Sequence, residues 1–374
     1  MKNMIKMSLV AAVAVAGLTS NVAATPLTEA IKDVDVSGSV LYRYNDYSYD
    51  DRADKSDTNN YYKIATSLKS KVNDYVTSTV RVLATNSAEG GLTGLDTETD
   101  GDSNVEVRVS QANFTVKTDV ATVIAGKQGL TTPWTVAIDS DGDEQTGTGL
   151  LALVPAGPVT VAAAYFNQNS VNNYEGDNIA TVGVLGAAGP VSFDAWYLDM
   201  TNAFDSFTVG AKATIEAITA QVRYTSLDLD ENNADNSLLD LKLSSKIGPV
   251  SVWGQYAMTD KDGGTTALEN SAKTSIEGWN VTSNGKADLD LYGIGASMDV
   301  MENLNVALNY RTLDYVAGTN NNDDMEQSEL YTQITHTMGK NLVTYVRLGQ
   351  FDEETNNDET VDSFRGRLQV EYKF

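Results

Sequence analysis

The sequence has no cysteine, one histidine and only 6 prolines in 374 residues. Without cysteine there can be no disulfide bond and no thiolate metal ligand. The lone histidine, His336, removes most catalytic triads and every multi-histidine metal centre. Scarce proline argues against a disordered stalk, and 18 tyrosines favour strands. Basic residues are also few, 26 against 51 acids, for a formal charge of -25. That balance disfavours nucleic acid as a partner, because phosphate binding needs basic surface. Beyond residue 24 no uninterrupted apolar run reaches the roughly 18 to 20 residues that a helix needs to cross hydrocarbon. A chain that spans a membrane without helices must close its strands into a barrel, since open sheet edges leave backbone groups unpaired in lipid. The alternative is a soluble exported protein, so the strand pattern has to decide.

Export itself is written at the start. Lys2 and Lys6 precede an apolar run from Leu9 to Leu18, and Val22-Ala23-Ala24 supplies the small residues a signal peptidase requires. Residues 1–24 are therefore expected to be a cleaved signal peptide, and residues 25–374 a single domain.

The rest of the chain alternates with period two. Near Val34–Tyr44, the residues Val34, Val36, Val40, Tyr42 and Tyr44 oppose Asp35, Ser37, Ser39 and Arg43. Similar runs recur to the chain end, among them Val191–Leu198, Phe207–Ile215, Leu330–Thr337, Val343–Phe351 and Val361–Phe374. About 18 strands result. Eight tight connections, such as Ala156-Gly157-Pro158, Ala188-Gly189-Pro190, Glu216-Ala217 and Gly248-Pro249, alternate with longer ones, such as Asn86–Asn104 and Thr259–Asp288. A soluble sandwich has no reason to gather its long loops at one end. The pattern predicts an all-β fold: a transmembrane antiparallel β-barrel with short periplasmic turns and long extracellular loops.

Acids gather in the long loops, at Asp50, Asp51, Asp54 and Asp57, at Asp323, Asp324 and Glu326, and from Asp352 to Glu359. Such clusters suit a solvated surface; they also suit a negative mouth that concentrates cations and holds divalent ions against lipopolysaccharide. The opposite charge falls on the predicted lumen side, as Arg43, Lys63, Arg81, Arg108, Lys127, Arg365 and Arg367. In a water-filled lumen a basic wall opposite acidic loops sets up a transverse field. Wall ion pairs and snorkelling at strand ends are the other reading of the same residues.

The segment 129–149 stands out among the loops. Trp134 and Ile138 are apolar in polar company, which predicts a loop folded inward and anchored by these two side chains. Asp139, Asp141, Asp143 and Glu144 would then line a pore constriction. The same run, through Asp139, Asp141 and Asp143, has an oxygen density that calcium favours, as does Asp96 to Asp102, although Val107 stands where a calcium loop needs its last glutamate. No cofactor is required; calcium is the one the sequence allows. For catalysis no residue is singled out, and a non-enzyme is expected. At the chain end Phe364, Leu368, Val370, Tyr372 and Phe374 alternate with charged or polar residues, and the terminal aromatic-x-Phe resembles the recognition signal of the barrel assembly machinery.

Three stretches resemble the major outer-membrane porins of Campylobacter and related epsilonproteobacteria. They are Thr25–Gly38 with Tyr42-Arg43-Tyr44, then Asp119–Gln128 continuing through Trp134-Thr135, Ala137-Ile138-Asp139 and Gly147-Thr148-Gly149, and the ending Tyr372-Lys373-Phe374. The resemblance implies a homotrimer of 18-stranded barrels in the outer membrane, contacting lipid and lipopolysaccharide, each narrowed by its third loop with Asp139 at the constriction. The function expected is passive diffusion of ions and small hydrophilic solutes with weak cation preference. An adhesin or structural barrel with a plugged lumen is the competing expectation.

Overall fold

The computed structural model describes residues 34–50, 55–85, 90–95, 105–171, 174, 176–230, 235–317, 323–356 and 358–374. The expected signal peptide, the acids Asp51 and Asp54, and the Asp96–Asp102 run lie outside the described residues.

The strands are β1 (Val34–Tyr49), β2 (Ser56–Lys71), β3 (Val76–Thr85), β4 (Thr93–Gly94), β5 (Glu106–Lys117) and β6 (Thr122–Gly129). Next come β7 (Thr146–Ala156), β8 (Val159–Asn169), β9 (Ile179–Ala188), β10 (Val191–Met200), β11 (Phe204–Ile215) and β12 (Ile218–Leu229). The rest are β13 (Asp235–Ile247), β14 (Val250–Thr259), β15 (Ala287–Met301), β16 (Leu304–Ala317), β17 (Asp323–Met338), β18 (Leu342–Thr355) and β19 (Asp358–Lys373). The two-residue β4 only adds a short bridge to β2 at Tyr61 and Tyr62. Each remaining strand pairs antiparallel with its chain neighbours, and β1 pairs with β19 from Ser39↔Lys373 to Tyr49↔Ser363. Gly38 and Phe374 exchange backbone hydrogen bonds at 2.9 and 3.0 Å, which fastens the chain end into the seam. The result is a closed 18-stranded barrel without free edges, and among the described residues there is no helix.

The expected alternation is present in space. Val36, Val40, Ile64, Leu68, Phe193, Tyr224, Ile294, Leu330 and Phe364 are exposed on the outer face, a belt fit for lipid. Their neighbours Arg43, Lys63, Ala65, Thr208, Thr225 and Ser363 are buried on the inner one. All eight tight connections join successive strands. In three of them glycine precedes proline, and Gly157, Gly189 and Gly248 have φ of 65°, 59° and 61°. A two-residue hairpin needs that positive φ at its first central position, while proline supplies the fixed negative φ at the second.

The strands run further at the loop end than alternation alone predicts. β1 continues past Tyr44 to Tyr49, β18 past Phe351 to Thr355, and between β10 and β11 only Thr201-Asn202-Ala203 remains as a loop. Beyond the hydrocarbon both barrel faces are wet, so polar residues fill both sides while the hydrogen-bond ladder continues.

Two apolar clusters lie inside the barrel. One packs Leu130 and Trp134, from the β6–β7 loop, against Phe166, Ile179, Leu198, Met200 and Leu227 of the wall. The other packs Ile276 and Val281, from the β14–β15 loop, against Leu238, Ala257, Leu289, Leu313 and Phe351. Two loops, not one, fold inward.

Candidate functional site

The β6–β7 loop begins with its anchor. Trp134 is fully buried, and its indole Nε1 donates to Ser206 Oγ at 2.7 Å. Burying a large apolar side chain stabilises by about 1.5–3 kcal/mol, enough to hold a loop against a wall. The second expected anchor, Ile138, is 49% exposed; Leu130, fully buried, takes its place. A loop has no periodicity to assign facing, so the correct apolar partner was not legible from spacing.

At its far end the loop is held by charge. Glu144 accepts from Arg81 Nε at 3.0 and 3.1 Å and from Nη2 at 2.6 Å, pairs with Lys63 Nζ at 2.9 Å, and accepts from Ser110 Oγ. A β-bulge in β5, between the pairs Arg81↔Gln111 and Val82↔Val109, aims Ser110 at the carboxylate. Burial favours protonation of Glu144, but the Arg81 hydrogen bonds, the Lys63 charge and Ser110 together outweigh it and hold its pKa below the usual glutamate range. Glu144 is thus a clamp and not a lining residue, and Lys63 and Arg81 are wall ion-pair partners.

Between anchor and clamp lies the acidic tip. Asp139 Oδ1 accepts from the backbone of Gly142 at 2.6 Å and Asp143 at 2.8 Å, closing a turn that presents Asp141. Asp141 is 65% exposed and pairs with Arg43 at 3.0 Å and Arg367 at 3.6 Å. With Asp139 turned onto its own backbone, Asp139, Asp141 and Asp143 do not converge. Among the described residues no group of three or more acidic, histidine or cysteine side chains is arranged to hold a metal ion.

The β14–β15 loop supplies residues that the sequence reading missed. It folds on itself through Gly278 N to Val281 O at 2.7 Å and Ser283 N to Ile276 O at 2.9 Å, making a small inward hairpin. The hairpin tip sits on Glu329 of β17, whose carboxylate accepts from the backbone of Trp279 at 3.0 and 3.1 Å and Asn280 at 2.8 Å. Arg311 pairs with the same carboxylate at 3.0 Å. Gly278 is required here, because a Cβ would stand 2.1 Å from Glu329 Oε1. The two loops also join each other. Leu268 N donates to Trp134 O at 2.9 Å, Gln145 Nε2 to Glu269 at 2.8 Å, and Ser140 Oγ to Glu277 at 2.9 Å. Trp279 and Ile276 in a polar loop are the same signal that marked Trp134, and it would have found this loop as well.

The junction gathers Asp139, Asp141, Glu269 and Glu277. Burial, with the nearby Asp139 charge, pushes Glu269 up to about 7. Asp139 and Glu277 are raised too, mainly by burial and partly by their acidic neighbours. Opposite stands the basic wall of Arg43, Arg365 and Arg367, with Arg347 beside them; Arg365 donates to Asn280 Oδ1 at 2.7 Å. Arg108, paired with Glu106 at 3.3 Å, and Lys127, bonded to Val109 O at 2.8 Å, instead line a side pocket of about 270 Å³ between Glu144 and β5, away from the junction. On the turn side of both loops the lumen opens into a cavity of about 1090 Å³, lined among others by Thr132, Asp194, Arg223, Asp240, Lys242 and Lys273.

The family model described as Campylobacter major outer membrane protein matches residues 1–183, which include the whole β6–β7 loop. The resemblance read from the sequence holds over that part of the chain. No curated protein matches the sequence. Among solved structures, OccK2 (OpdF) of Pseudomonas aeruginosa is 13% identical with a TM-score of 0.76, covering 92% of this chain and 98% of that one. A BenF-like porin from Pseudomonas fluorescens Pf-5 is 13% identical with a TM-score of 0.75, over 92% and 99%. OccK2 in complex with glucuronate gives 13% identity and a TM-score of 0.73, over 92% and 98%. At such identities the likeness establishes the barrel fold.

Proposed function

We propose that this chain is an outer-membrane porin, passing ions and small hydrophilic solutes by diffusion with a weak preference for cations. One observation carries the reading: a closed barrel with an apolar belt holds two inward loops, one of which sets the exposed carboxylate of Asp141 against the arginines of the inner wall. The family match and the porin neighbours support it, and the glucuronate in one neighbour is a solute of the expected size and polarity. A barrel plugged by the same two loops is the competing reading, and stepwise conductance separates the two.

In this reading Asp139, Asp141, Glu269 and Glu277 line the eyelet, and the formal charge of -25, much of it at the loop end, draws cations to the mouth. Three barrels associate through the outer belt, lipopolysaccharide meets the acidic loops, and the assembly machinery reads the strand ending in Phe374. Purified protein added to a planar bilayer then gives stepwise conductance in potassium chloride. A silent bilayer with folded, heat-modifiable protein sinks the proposal.

The raised carboxyls make selectivity pH-dependent. Glu269, near 7, and its neighbours gain charge as pH rises and lose it as pH falls. Cation preference, read as reversal potential in a salt gradient, is expected to strengthen from pH 5 to pH 8, with its steepest change around 7. A flat profile over that range would remove the junction from the selectivity determinants.

A further inference from the structure

Two indoles lie flat on the inner wall, each on a glycine of the neighbouring strand. Trp253 of β14 covers Gly295 of β15, where a Cβ would stand 2.3, 2.5 and 2.8 Å from Nε1, Cε2 and Cζ2. Its ring already carries two cations, with Lys242 Nζ 4.9 Å and the Arg311 guanidinium carbon 5.1 Å from the centroid. Trp196 of β10 covers Gly183 of β9, where a Cβ would stand 2.1, 2.3 and 2.6 Å from Cδ2, Cε3 and Cε2. Near-equal distances to three ring atoms place the glycine under the face of the indole, not at its edge. Trp196 is only partly buried and lines the cavity of about 1090 Å³ on the turn side of the loops. Leu151 and Leu185 line it too, and Leu185 is 37% exposed. Apolar surface left open to a lumen is surface that a solute can cover.

Polar groups are fixed beside the indole. Asp194, two residues before Trp196, also lines the cavity and accepts from Arg223 Nη2 at 2.7 and 3.0 Å. Arg223 Nη1 donates at 3.0 Å to Thr208, the residue opposite Trp196 on β11. Gly210 makes room for that guanidinium, since a Cβ there would stand 2.3 Å from Arg223 Nη2. Asp240, opposite Arg223 on β13, accepts from Gln255 Nε2 at 2.8 Å. Both carboxylates keep acceptor capacity, because an ionised carboxylate offers about four lone-pair sites. A pyranose ring has an apolar C–H face and a rim of hydroxyls. An aromatic face bordered by ordered donors and acceptors matches both.

We propose that Trp196, with Asp194 and Arg223 at its border, forms a stacking subsite for the ring of a neutral pyranose sugar. The subsite rests on the porin reading, in which the sugar meets it after passing the loops. Because Arg223 is already paired with Asp194, the subsite selects a ring and its hydroxyls, not a charge.

The test compares glucose with sorbitol, which has the same carbons and hydroxyl chemistry in an open chain. Two readouts are taken: block of single-channel current with solute on the turn side, and tryptophan emission of the detergent-solubilised protein. Glucose is expected to act at about five- to tenfold lower concentration than sorbitol in both. Trp196→Phe keeps a ring and is expected to keep part of that preference in the block. Trp196→Leu keeps only apolar bulk and is expected to lose the preference and the emission change together. Heat-modifiable mobility verifies that each variant is folded. Equal action of the two solutes on wild type, or a preference that survives in Trp196→Leu, overturns the subsite. Wild-type protein without conductance steps overturns the porin reading alone, and the emission titration then decides the subsite.

Discussion

Replacing Glu144 with alanine is expected to raise single-channel conductance and the size limit for neutral solutes, while the barrel stays folded. The Glu144 side chain is 2% exposed and is the common partner of Lys63 and Arg81, which are nearly as buried. Removing one member of a buried ion group leaves the others uncompensated, at a cost of about 3–5 kcal/mol. Water is expected to enter around the stranded Lys63 and Arg81 charges, so residues 142–145 are expected to lift from the wall while Asp141 keeps its pairs with Arg43 and Arg367. Leu130 and Trp134 still hold the other end, and the β-ladder does not involve the side chain. Glu144→Gln, which keeps shape and some hydrogen bonds, should fall between. Unchanged conductance and size limit in Glu144→Ala would mean that the apolar anchor and the Asp141 pairs fix the loop without the Glu144 clamp.

The second large effect is expected at Glu329, a residue of the wall and not of a loop. Its carboxylate has no solvent exposure and receives two backbone amides of the hairpin tip together with Arg311. Glu329→Ala strands Arg311 and both amides, again about 3–5 kcal/mol of lost compensation. The hairpin around 276–283 should detach, taking Trp279 from its contacts with Tyr331 and Arg347 into water. The chain has four tryptophans, so the expected red shift of emission is assigned by repeating the measurement in a Trp279→Phe background, where it should vanish. Conductance should rise together with the shift. Emission that stays at the wild-type wavelength would show that Ile276 and Val281 hold the hairpin without the carboxylate.

The two clamps explain what the sequence could and could not disclose. Strands were legible because lipid on one face and water on the other impose period two, as at Val36, Val40 and Arg43. The inward third loop was legible through Trp134, an apolar side chain that polar surroundings cannot satisfy. Which acid of Asp139, Asp141, Asp143 and Glu144 would meet the wall was not, because composition makes them equal. The choice is made by the loop path and by the bulge that turns Ser110, and neither has a local signature. Glu329 was invisible for a related reason. In sequence it is one acid at the edge of a strand, and only the barrel brings Gly278–Asn280 onto it across some 50 residues. Ile138 misled because hydrophobicity marks a loop as anchored without saying by which residue.

In the proposed porin Asp141 stands in the conducting path, presented by one loop beside Arg43 and Arg367. The absence of native cysteine allows it to be tested on a single thiol. Channels carrying Asp141→Cys would be recorded while a membrane-impermeant, positively charged methanethiosulfonate is added. An abrupt, reductant-reversible fall in current is expected, with a shift of reversal potential toward anions. Current and reversal potential that do not change, in channels whose thiol is shown to have reacted, would contradict it.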